Sequence, residues 1–299
     1  MNLGLKLMEW SIRAASRLPL GVLYVFSDVA CVFLHHVVRY RLGTVRENLR
    51  KSFPEKGSSE LRGIERAFYR HFSDNAVESM KLLHMSDEEM RRRMRFKNVE
   101  LIDSLFAEGR DIVAYFSHCI NWEWATSVGL HTKSKMAEEA DFGFVYRPLN
   151  NKIFDALMLD IRRRFGASAY PKTTVFRELI RMRKSSRRFI AGFMSDQKPS
   201  HGDPTQVLMF LNHPTAMITG TETVARKLNT AVIYWDMHRE GRGRYCIECR
   251  LMCRQAADEA EGSITACYAG MLEDTIKRNP SLWLWTHKRW KYPVKLAGE

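Results

Sequence analysis

The stretch AYFSHCINWEWAT, residues 114–126, joins an apolar run to a cluster of polar side chains. The run from Ile112 to Phe116 is short and rich in β-branched and aromatic residues, as in a buried strand. His118 follows at once, and Glu123 stands five residues later. A histidine can take a proton from a hydroxyl near neutral pH, and a carboxylate on its second ring nitrogen would stabilise the charged ring. The stretch therefore predicts a strand that ends in a candidate acid–base site.

The spacing restricts how the two side chains meet. In a continuous helix, residues five apart point roughly 140° away from each other. We therefore expect His118 to lie in the turn and Glu123 in the first turn of a following helix, where the helix dipole favours an acid. On these two residues alone, a structural histidine–acid pair is the commoner explanation.

Strand-like and helix-like segments alternate along the rest of the chain. Strands are expected at 111–117, 142–147, 188–196, 231–240 and 244–252. Helices are expected at 58–83, 150–166, 173–186, 219–229 and 257–279. This alternation predicts an α/β fold with a mixed, largely parallel sheet flanked by helices. Ligand sites in such sheets gather beyond the carboxyl ends of the strands, which is where His118 falls.

The charge of the chain points to an anionic partner. The 47 Lys+Arg residues exceed the 34 Asp+Glu residues, giving a formal net charge of +13. Nucleic acid, an anionic membrane, a phosphorylated substrate and an acidic protein all remain open on charge alone. A hydrophobic content of 45% excludes an intrinsically disordered chain.

The N-terminal region has the composition of a membrane segment. Leu18 to Val38 is mostly apolar and about as long as a bilayer core requires. Because Asp28 lies in its middle, a re-entrant or peripheral segment is an alternative to a spanning one, and an ordinary core helix is another. Residues 39–51 follow with five Lys/Arg against one acid, which is typical of a flank held at the cytoplasmic face by anionic lipid.

The six cysteines favour free thiols in a reducing compartment, because no small-residue cleavage site follows a short apolar core. Cys246, Cys249 and Cys253 superficially suggest a metal site. The segment also has the pattern of a strand, which would place Cys246 and Cys249 on opposite faces. We therefore expect no metal site.

The form HCINWE, His118-x4-Glu123, resembles the H-x4-D/E signature (HX4E motif) of the lysophospholipid acyltransferase superfamily. Further blocks, in the same order along the chain, are similar to one branch, the late acyltransferases of lipid A biosynthesis (lauroyl and myristoyl transferases). The matching blocks are VRENLRKSFPE (45–55), FSHCINWEW (116–124), VYRPLNNKIFDALMLDIRRRFG (145–166), FMSDQKP (193–199), NHPTAMITGTETVARKLNTAVI (212–233) and NPSLWLWTHKRWKY (279–292).

The resemblance implies a glycerolipid acyltransferase-like fold. Residues 1–56 would form an N-terminal membrane-associated helical segment and residues 57–299 the acyltransferase catalytic domain. The implied reaction moves a fatty acyl chain from acyl carrier protein to a hydroxyl of a lipid A precursor, at the cytoplasmic face of the inner membrane. Acyl carrier protein, the lipid A precursor or a related anionic lipid, and the inner membrane are the implied partners. No nucleic acid, cofactor or covalent acyl-enzyme is expected.

The resemblance also assigns roles to residues. His118 would be the general base and Glu123 would orient it, while Cys119 would only pack. Arg147 would stabilise the oxyanion or bind a substrate phosphate, with a structural salt bridge as the alternative. Candidate substrate-binding residues are Arg147, Asn121, Asp196 and Gln197, and Asp196 and Gln197 would otherwise cap a strand-to-loop turn.

Basic residues are concentrated in two places. Residues 161–190 contain ten Lys/Arg against one acid, and residues 286–295 add four more with no acid. We expect the cluster as a whole to dock anions, and Trp283, Trp285 and Trp290 to suit a membrane interface.

Three alternatives to lipid A acylation remain open. Another lipid acceptor, such as a glycolipid or an amino-acid-containing lipid, would suit the same residues. A nucleic-acid-binding protein would use the basic helices, although the sequence carries no recognisable binding motif. A non-catalytic membrane scaffold would keep the fold without the reaction.

Overall fold

The computed structural model describes residues 3–133 and 140–296. Its α-helices are α1 Leu3–Ala15, α2 Leu20–Val32, α3 Leu42–Ser52, α4 Ser58–Lys81, α5 Asp87–Arg93, α6 Glu100–Ala107, α7 Lys152–Arg163, α8 Val175–Lys184, α9 Gly220–Lys227 and α10 Ser263–Arg278. A π-helical turn, Phe33–Val37, continues α2, and 3₁₀ segments lie at Leu82–His84, Trp122–His131, Ala256–Asp258 and Pro280–Leu282. The strands are β1 Met94–Lys97, β2 Ile112–Phe116, β3 Ala140–Tyr146, β4 Ser168–Pro171, β5 Arg188–Met194, β6 Thr205–Phe210, β7 His213–Ile218, β8 Ala231–Gly241 and β9 Arg244–Cys253.

Seven strands form one sheet in the order β1-β9-β8-β2-β5-β3-β4. Every neighbouring pair is parallel except the β8–β9 hairpin. The α/β fold with a mostly parallel sheet is thus confirmed, and the five expected strands appear as β2, β3, β5, β8 and β9. All five residues of β2, at the centre of the sheet, are buried, as a strand covered on both faces requires.

Three parts of the sheet structure were not expected from the sequence: β1, β4 and the separate β6–β7 hairpin. The hairpin is closed by a two-residue turn, Leu211 and Asn212, with φ of 49° and 62°. Such turns usually contain glycine, because φ is positive at both positions. Leu211 adopts the strained conformation while fully buried, so burial of an apolar side chain takes the place of the usual turn residue.

Close packing between β3 and β4 depends on a glycine. A Cβ atom at Gly143 would lie 2.2 Å from the ring of Tyr170. No other residue fits there without displacing the ring, which is buried and donates a hydrogen bond to Asp141. This packing seats β4 at the edge of the sheet beside the strands that carry the site.

The C-terminal tryptophans were expected at a membrane interface, but they pack against the domain. Trp283 and Trp285 are 3% and 0% exposed, and Trp290 is half-buried with its indole N–H donated to Thr215. They pack edge to face on one another in the core. Trp283 and Trp285 therefore do not form a membrane interface, because their apolar surface is already covered by the domain.

The basic cluster at 161–190 is also divided by the fold. Arg164 pairs with Asp87, whereas Arg183 and Arg188 pair with Asp111 at the amino-terminal end of β2. These arginines point to different parts of the molecule, since they come from different helices and strand ends. These three arginines thus have acidic partners within the protein, and the expectation that the cluster docks anions stays a prediction.

The N-terminal helices pack on the domain. Leu20–Val37 is, by length and composition, a helix that could cross a membrane, and 22% of it is buried. Its buried side rests on α4 through Leu20 and Leu23. The division of the chain at residue 56 stays a prediction.

Candidate active site

The register of the sheet brings two polar side chains together. In the parallel pair β2–β5, Phe116 lies opposite Met194. His118 and Asp196 each follow two residues later, so they leave the sheet at the same edge and at the same level. This is the carboxyl edge, where ligand sites of α/β sheets form.

Asp196 holds the imidazole of His118. His118 Nδ1 lies 2.7 Å from Asp196 Oδ1, and the backbone N–H of His118 donates to Oδ2 at 3.0 Å. The indole N–H of Trp283 donates to the same oxygen at 2.8 Å. Burial would raise the pKa of Asp196, but the positive charge of His118 and these hydrogen bonds outweigh it and lower the pKa to about 2. Asp196 is therefore a buried carboxylate.

The other ring nitrogen of His118 is left for a ligand. No hydrogen bond to Nε2 is formed within residues 3–133 and 140–296, and the side chain keeps 14% of its surface exposed. The ring of Trp122 stands edge to face against it at 5.0 Å. With Nδ1 donating to Asp196, Nε2 is the nitrogen able to accept a proton.

The prediction that Glu123 is the partner of His118 is wrong. Glu123 makes a two-pronged ion pair with Arg162 of α7, at 2.9 and 2.8 Å, and accepts a hydrogen bond from Trp122 at 3.2 Å. The turn after His118 contains Ile120 at φ 46° and leads into a 3₁₀ segment instead of an α-helix. That path turns the carboxylate towards α7, and Asp196 already occupies Nδ1. Glu123 therefore does not orient His118 by a direct hydrogen bond.

Arg162 is the site residue that sequence reasoning missed, since it was counted only within the basic cluster. Burial lowers its pKa, but Glu123 more than offsets that effect and the pKa lies above its ordinary value. Arg162 also lies 5.8 Å from the ring centroid of Tyr146. The acid of the H-x4-E pattern thus holds a half-buried cation at the site.

A cavity of about 620 Å³ opens in front of His118. Its apolar wall includes Phe116, Phe144, Phe176 and Phe193. The basic side chains around it are Arg147, Arg162, Lys172 and Lys198, and the carboxylates are Glu123 and Asp203. The mixture of apolar wall and cations suits an anionic amphiphile.

The cations of this cavity are not equally engaged. Arg162 is bound by Glu123, and Lys172 is bound by Asp203 at 2.7 Å. Arg147 is exposed and forms no ion pair within the described part of the chain. Arg147 and Gln197 therefore lie where they were expected, at the wall, and within the described residues Arg147 and Lys198 are the two wall cations without an ion pair, able to meet an anionic substrate group.

A second, narrow crevice of about 20 Å³ also reaches His118. It is lined by Phe68 and Phe72 of α4 together with Ile120, Trp122 and Trp283. A space of that size admits about one water molecule, so of the two spaces at His118 the wide basic cavity is the one with room for a ligand.

Asn121 was expected to bind substrate, but it lines neither of the two cavities at His118. The side chain is fully buried, donating to Glu78 at 3.2 Å and accepting from Ser79 at 3.3 Å. Burial raises the pKa of Glu78 to about 7, against hydrogen bonds from Tyr245, Tyr24 and Asn121 that lower it. Asn121 therefore supports the floor of the site instead of binding substrate.

Cys119 lies beside His118 but faces the core. It is 2% exposed and bridges to Trp283 through the backbone. Burial raises the pKa of its thiol well above the ordinary value, so the thiolate needed for nucleophilic attack is disfavoured.

Asp236, His238 and Glu248 bring potential ligand atoms within 4.8 Å of one another on β8 and β9. Asp236 is already paired with Arg278 at 2.5 Å and Arg250 at 3.3 Å. Cations of the chain itself thus neutralise this cluster.

The family model described as Bacterial lipid A biosynthesis acyltransferase matches residues 7–292. No curated protein matches the sequence.

Proposed function

Because the chain belongs to the bacterial lipid A biosynthesis acyltransferase family, we propose that it moves a fatty acyl chain from acyl carrier protein to a hydroxyl of a lipid A precursor, at the cytoplasmic face of the inner membrane. The observation that carries the proposal is the His118–Asp196 pair: Nε2 of His118 forms no hydrogen bond within the described residues, and His118 lines the wide cavity with basic and aromatic walls. The family is membrane-associated and acylates a lipid acceptor.

In the proposed reaction, Nε2 of His118 accepts the proton of the acceptor hydroxyl as its oxygen attacks the thioester carbonyl. The new C–O bond forms and the carbonyl oxygen becomes negative. When this intermediate collapses, the C–S bond breaks and His118 returns the proton to the departing thiolate. The hydroxyl, the thioester and the proton are thus all accounted for without a covalent acyl-enzyme or a cofactor.

Asp196 stabilises the imidazolium in this scheme. Its carboxylate contacts Nδ1 at 2.7 Å and is itself fixed by Trp283, so the ring cannot rotate away from the hydroxyl without breaking these bonds. Asp196 does not need to accept the proton, because its low pKa keeps it charged.

Glu123 supports the reaction through Arg162. The ion pair holds the guanidinium at the cavity wall, and its positive charge would stabilise the oxyanion or a substrate phosphate. Arg147 would supply a second charge for the same anionic lipid. In this scheme Glu123 is a positioning residue.

The first test is a comparison of His118→Ala with His201→Ala, since His201 is an exposed histidine outside both cavities. Purified protein would be given acyl carrier protein loaded with a fatty acid and a lipid A precursor. We expect His118→Ala to lose about 10³-fold in turnover, in the range of a general base, and His201→Ala to be unchanged. Near-normal turnover by a folded His118→Ala protein would sink the proposal.

The second test identifies the acceptor. Mass spectrometry of membrane lipids from cells lacking the chain should show lipid A short of one acyl chain. If lipid A were intact and a glycolipid or amino-acid-containing lipid lacked one acyl chain, that lipid would be the acceptor of the same reaction.

A further inference from the structure

One face of α2 and its π-helical continuation is apolar and uncovered. Its residues recur every three or four positions and so form one stripe along the helix. They are 42–66% exposed, and we call them the apolar stripe: Val22, Val25, Phe26, Val29, Val32, Phe33 and Val37.

The opposite face of α2 is fastened to α4 along its whole length, with the two helices antiparallel. At one end, Lys81 donates to the backbone oxygen of Leu18 at 3.0 Å. In the middle, Ser27 donates to Asp74 at 2.7 Å. At the other end of α2, His35 lies 2.8 Å from Glu65. Glu65 precedes Lys81 by 16 residues in α4, so the contacts run in opposite directions along the two helices. If α2 crossed a membrane, α4 would therefore be carried to the same depth beside it.

Helix α4 cannot enter hydrocarbon. Arg62, Arg66 and Arg70 are exposed at every fourth position of α4, on one side of the helix. Asp74 is buried and bound by Arg242, which reaches across to Asp28 of α2 as well. A spanning α2 would draw these charges towards the bilayer centre, where each is costly.

A basic cavity lies where α2 ends. It measures about 310 Å³, and its wall includes His36, Arg39, Arg62 and Arg66. Arg39 stands directly after the helix in the left-handed conformation, φ 52°, which reverses the chain there. Within residues 3–133 and 140–296, Arg39, Arg62 and Arg66 form no ion pair, whereas Arg46 in the same wall is paired with Glu65.

We propose that α2 lies in the plane of an anionic bilayer instead of crossing it, with the apolar stripe in the headgroup–acyl boundary and the cavity of Arg39, Arg62 and Arg66 holding the phosphate of a lipid headgroup. The occupant is an anionic phospholipid surface because the exposed apolar stripe ends at Val37, two residues before Arg39 of the basic cavity, so apolar side chains and unpaired arginines meet at the end of α2 as in interfacial helices. The inference does not depend on which reaction the strand-end site performs.

The cavity is tested by binding of the full-length protein to vesicles of phosphatidylcholine, with and without phosphatidylglycerol. The variant Arg39→Gln/Arg62→Gln/Arg66→Gln should lose about 100-fold in affinity for the anionic vesicles. The control Arg177→Gln/Lys184→Gln/Arg187→Gln removes the same charge from exposed positions elsewhere and should lose less than about threefold. Equal losses by the two variants would overturn the headgroup site.

Turnover in detergent micelles separates this inference from the proposed reaction. Both triple variants should retain it, because none of their residues lines the cavities at His118. Loss of vesicle binding with intact micellar turnover supports the inference, and loss of micellar turnover in the Arg39/Arg62/Arg66 variant alone contradicts it.

The orientation is tested by labelling. In a chain with Cys31 and Cys267 replaced by serine, Ser11→Cys and Ser59→Cys place thiols before α2 and at the start of α4, both exposed. A membrane-impermeant maleimide should label both from the same side of inner-membrane vesicles. Labelling of the two from opposite sides would show that α2 spans and would overturn the proposal.

Discussion

The strand-end site and the surface of α2 use charge in opposite ways. At the site, Asp196 is 1% exposed and Glu123 is 5% exposed, and each is bound to a cation or donor. On the surface around α2, Arg62, Arg66 and Arg39 are exposed and form no ion pair within the described residues. Buried pairs fix atoms in place, whereas exposed single charges attract a partner from a distance. The charges of the site therefore hold side chains in position, whereas the charges around α2 are available to attract an anionic partner.

The two designs fail differently. Removing one member of a buried pair leaves an uncompensated charge, and the loss is large and not additive. Removing an exposed arginine costs a small, roughly additive amount that salt also screens. Substitutions in the two regions should therefore be separable by size, additivity and the property affected.

The largest effect is expected from Asp196→Asn. The amide would take the wrong hydrogen-bonding role towards Nδ1, so the imidazolium would lose both its orientation and its counter-charge. We expect kcat to fall about 10³- to 10⁴-fold with little change in KM. Steady-state kinetics with the acyl-carrier-protein donor measure this.

Asp203→Asn is the matched control for that change. It also removes a carboxylate from the candidate site, but one that lies in the cavity wall and binds Lys172. It should act mainly on KM. Equal falls in kcat for both variants would show that Asp196 has no special place in the reaction.

The next largest effect concerns the Glu123–Arg162 pair. Glu123→Gln and Arg162→Gln should each reduce kcat about 10²- to 10³-fold, because each leaves its partner buried and unpaired. The double variant should be no worse than the poorer single one. A double-mutant cycle measures this. Strictly additive losses would instead support an action of Glu123 on His118 that is independent of Arg162.

Glu78 should give the protein a pH-dependent stability. Its pKa is 4.5 when unfolded and about 7 when buried in the fold, so the folded state binds the proton more tightly. The free energy of unfolding should fall as the pH rises from the unfolded value to the folded one, and then level off. Relative to Glu78→Gln, we expect a loss of about 3 kcal/mol across this window.

Denaturant unfolding at a series of pH values measures the dependence on Glu78. Glu60→Gln, an exposed change on the same helix, should keep the wild-type slope. A Glu78→Gln protein with the wild-type slope would assign the pH dependence to another group.

The smallest effect should come from the apolar stripe. Val29→Ala removes apolar surface from a side chain that is 65% exposed, so the fold should keep its stability. Affinity for anionic vesicles should fall about tenfold, as expected for burying less hydrocarbon. Leu251→Ala, an exposed apolar change on β9, should leave vesicle binding unchanged. Equal losses by the two variants would contradict the role given to the stripe.

Local periodicity in the sequence was enough to predict most of the sheet and its flanking helices. The apolar run before His118 predicted β2, and alternating patterns predicted the four other strands that were expected. The partner of His118 could not be read from spacing along one chain segment, because Asp196 is 78 residues away and meets it only through the β2–β5 register. Pairing the positions just after successive predicted strands would have been the available signal.

Other misses have similar causes. Trp283 and Trp285 looked interfacial because basic residues adjoin them, but burial depends on the whole C-terminal segment packing back onto the sheet. Asn121 sits inside the matching block yet faces away from the cavity, since the left-handed turn at Ile120 redirects the chain. Membership of a block did not reveal which side chains face the ligand.

The register of β2 with β5 has a consequence for how such an enzyme diversifies. The His118–Asp196 pair is set by two central strands, while the cavity walls come from α7, α8 and the loop after β5. Under the proposed reaction, insertions or substitutions in those walls would alter the choice of acceptor or the length of the acyl chain without moving Nε2 of His118. Substrate choice would then change through the cavity walls while the acid–base pair on the two central strands stays the same.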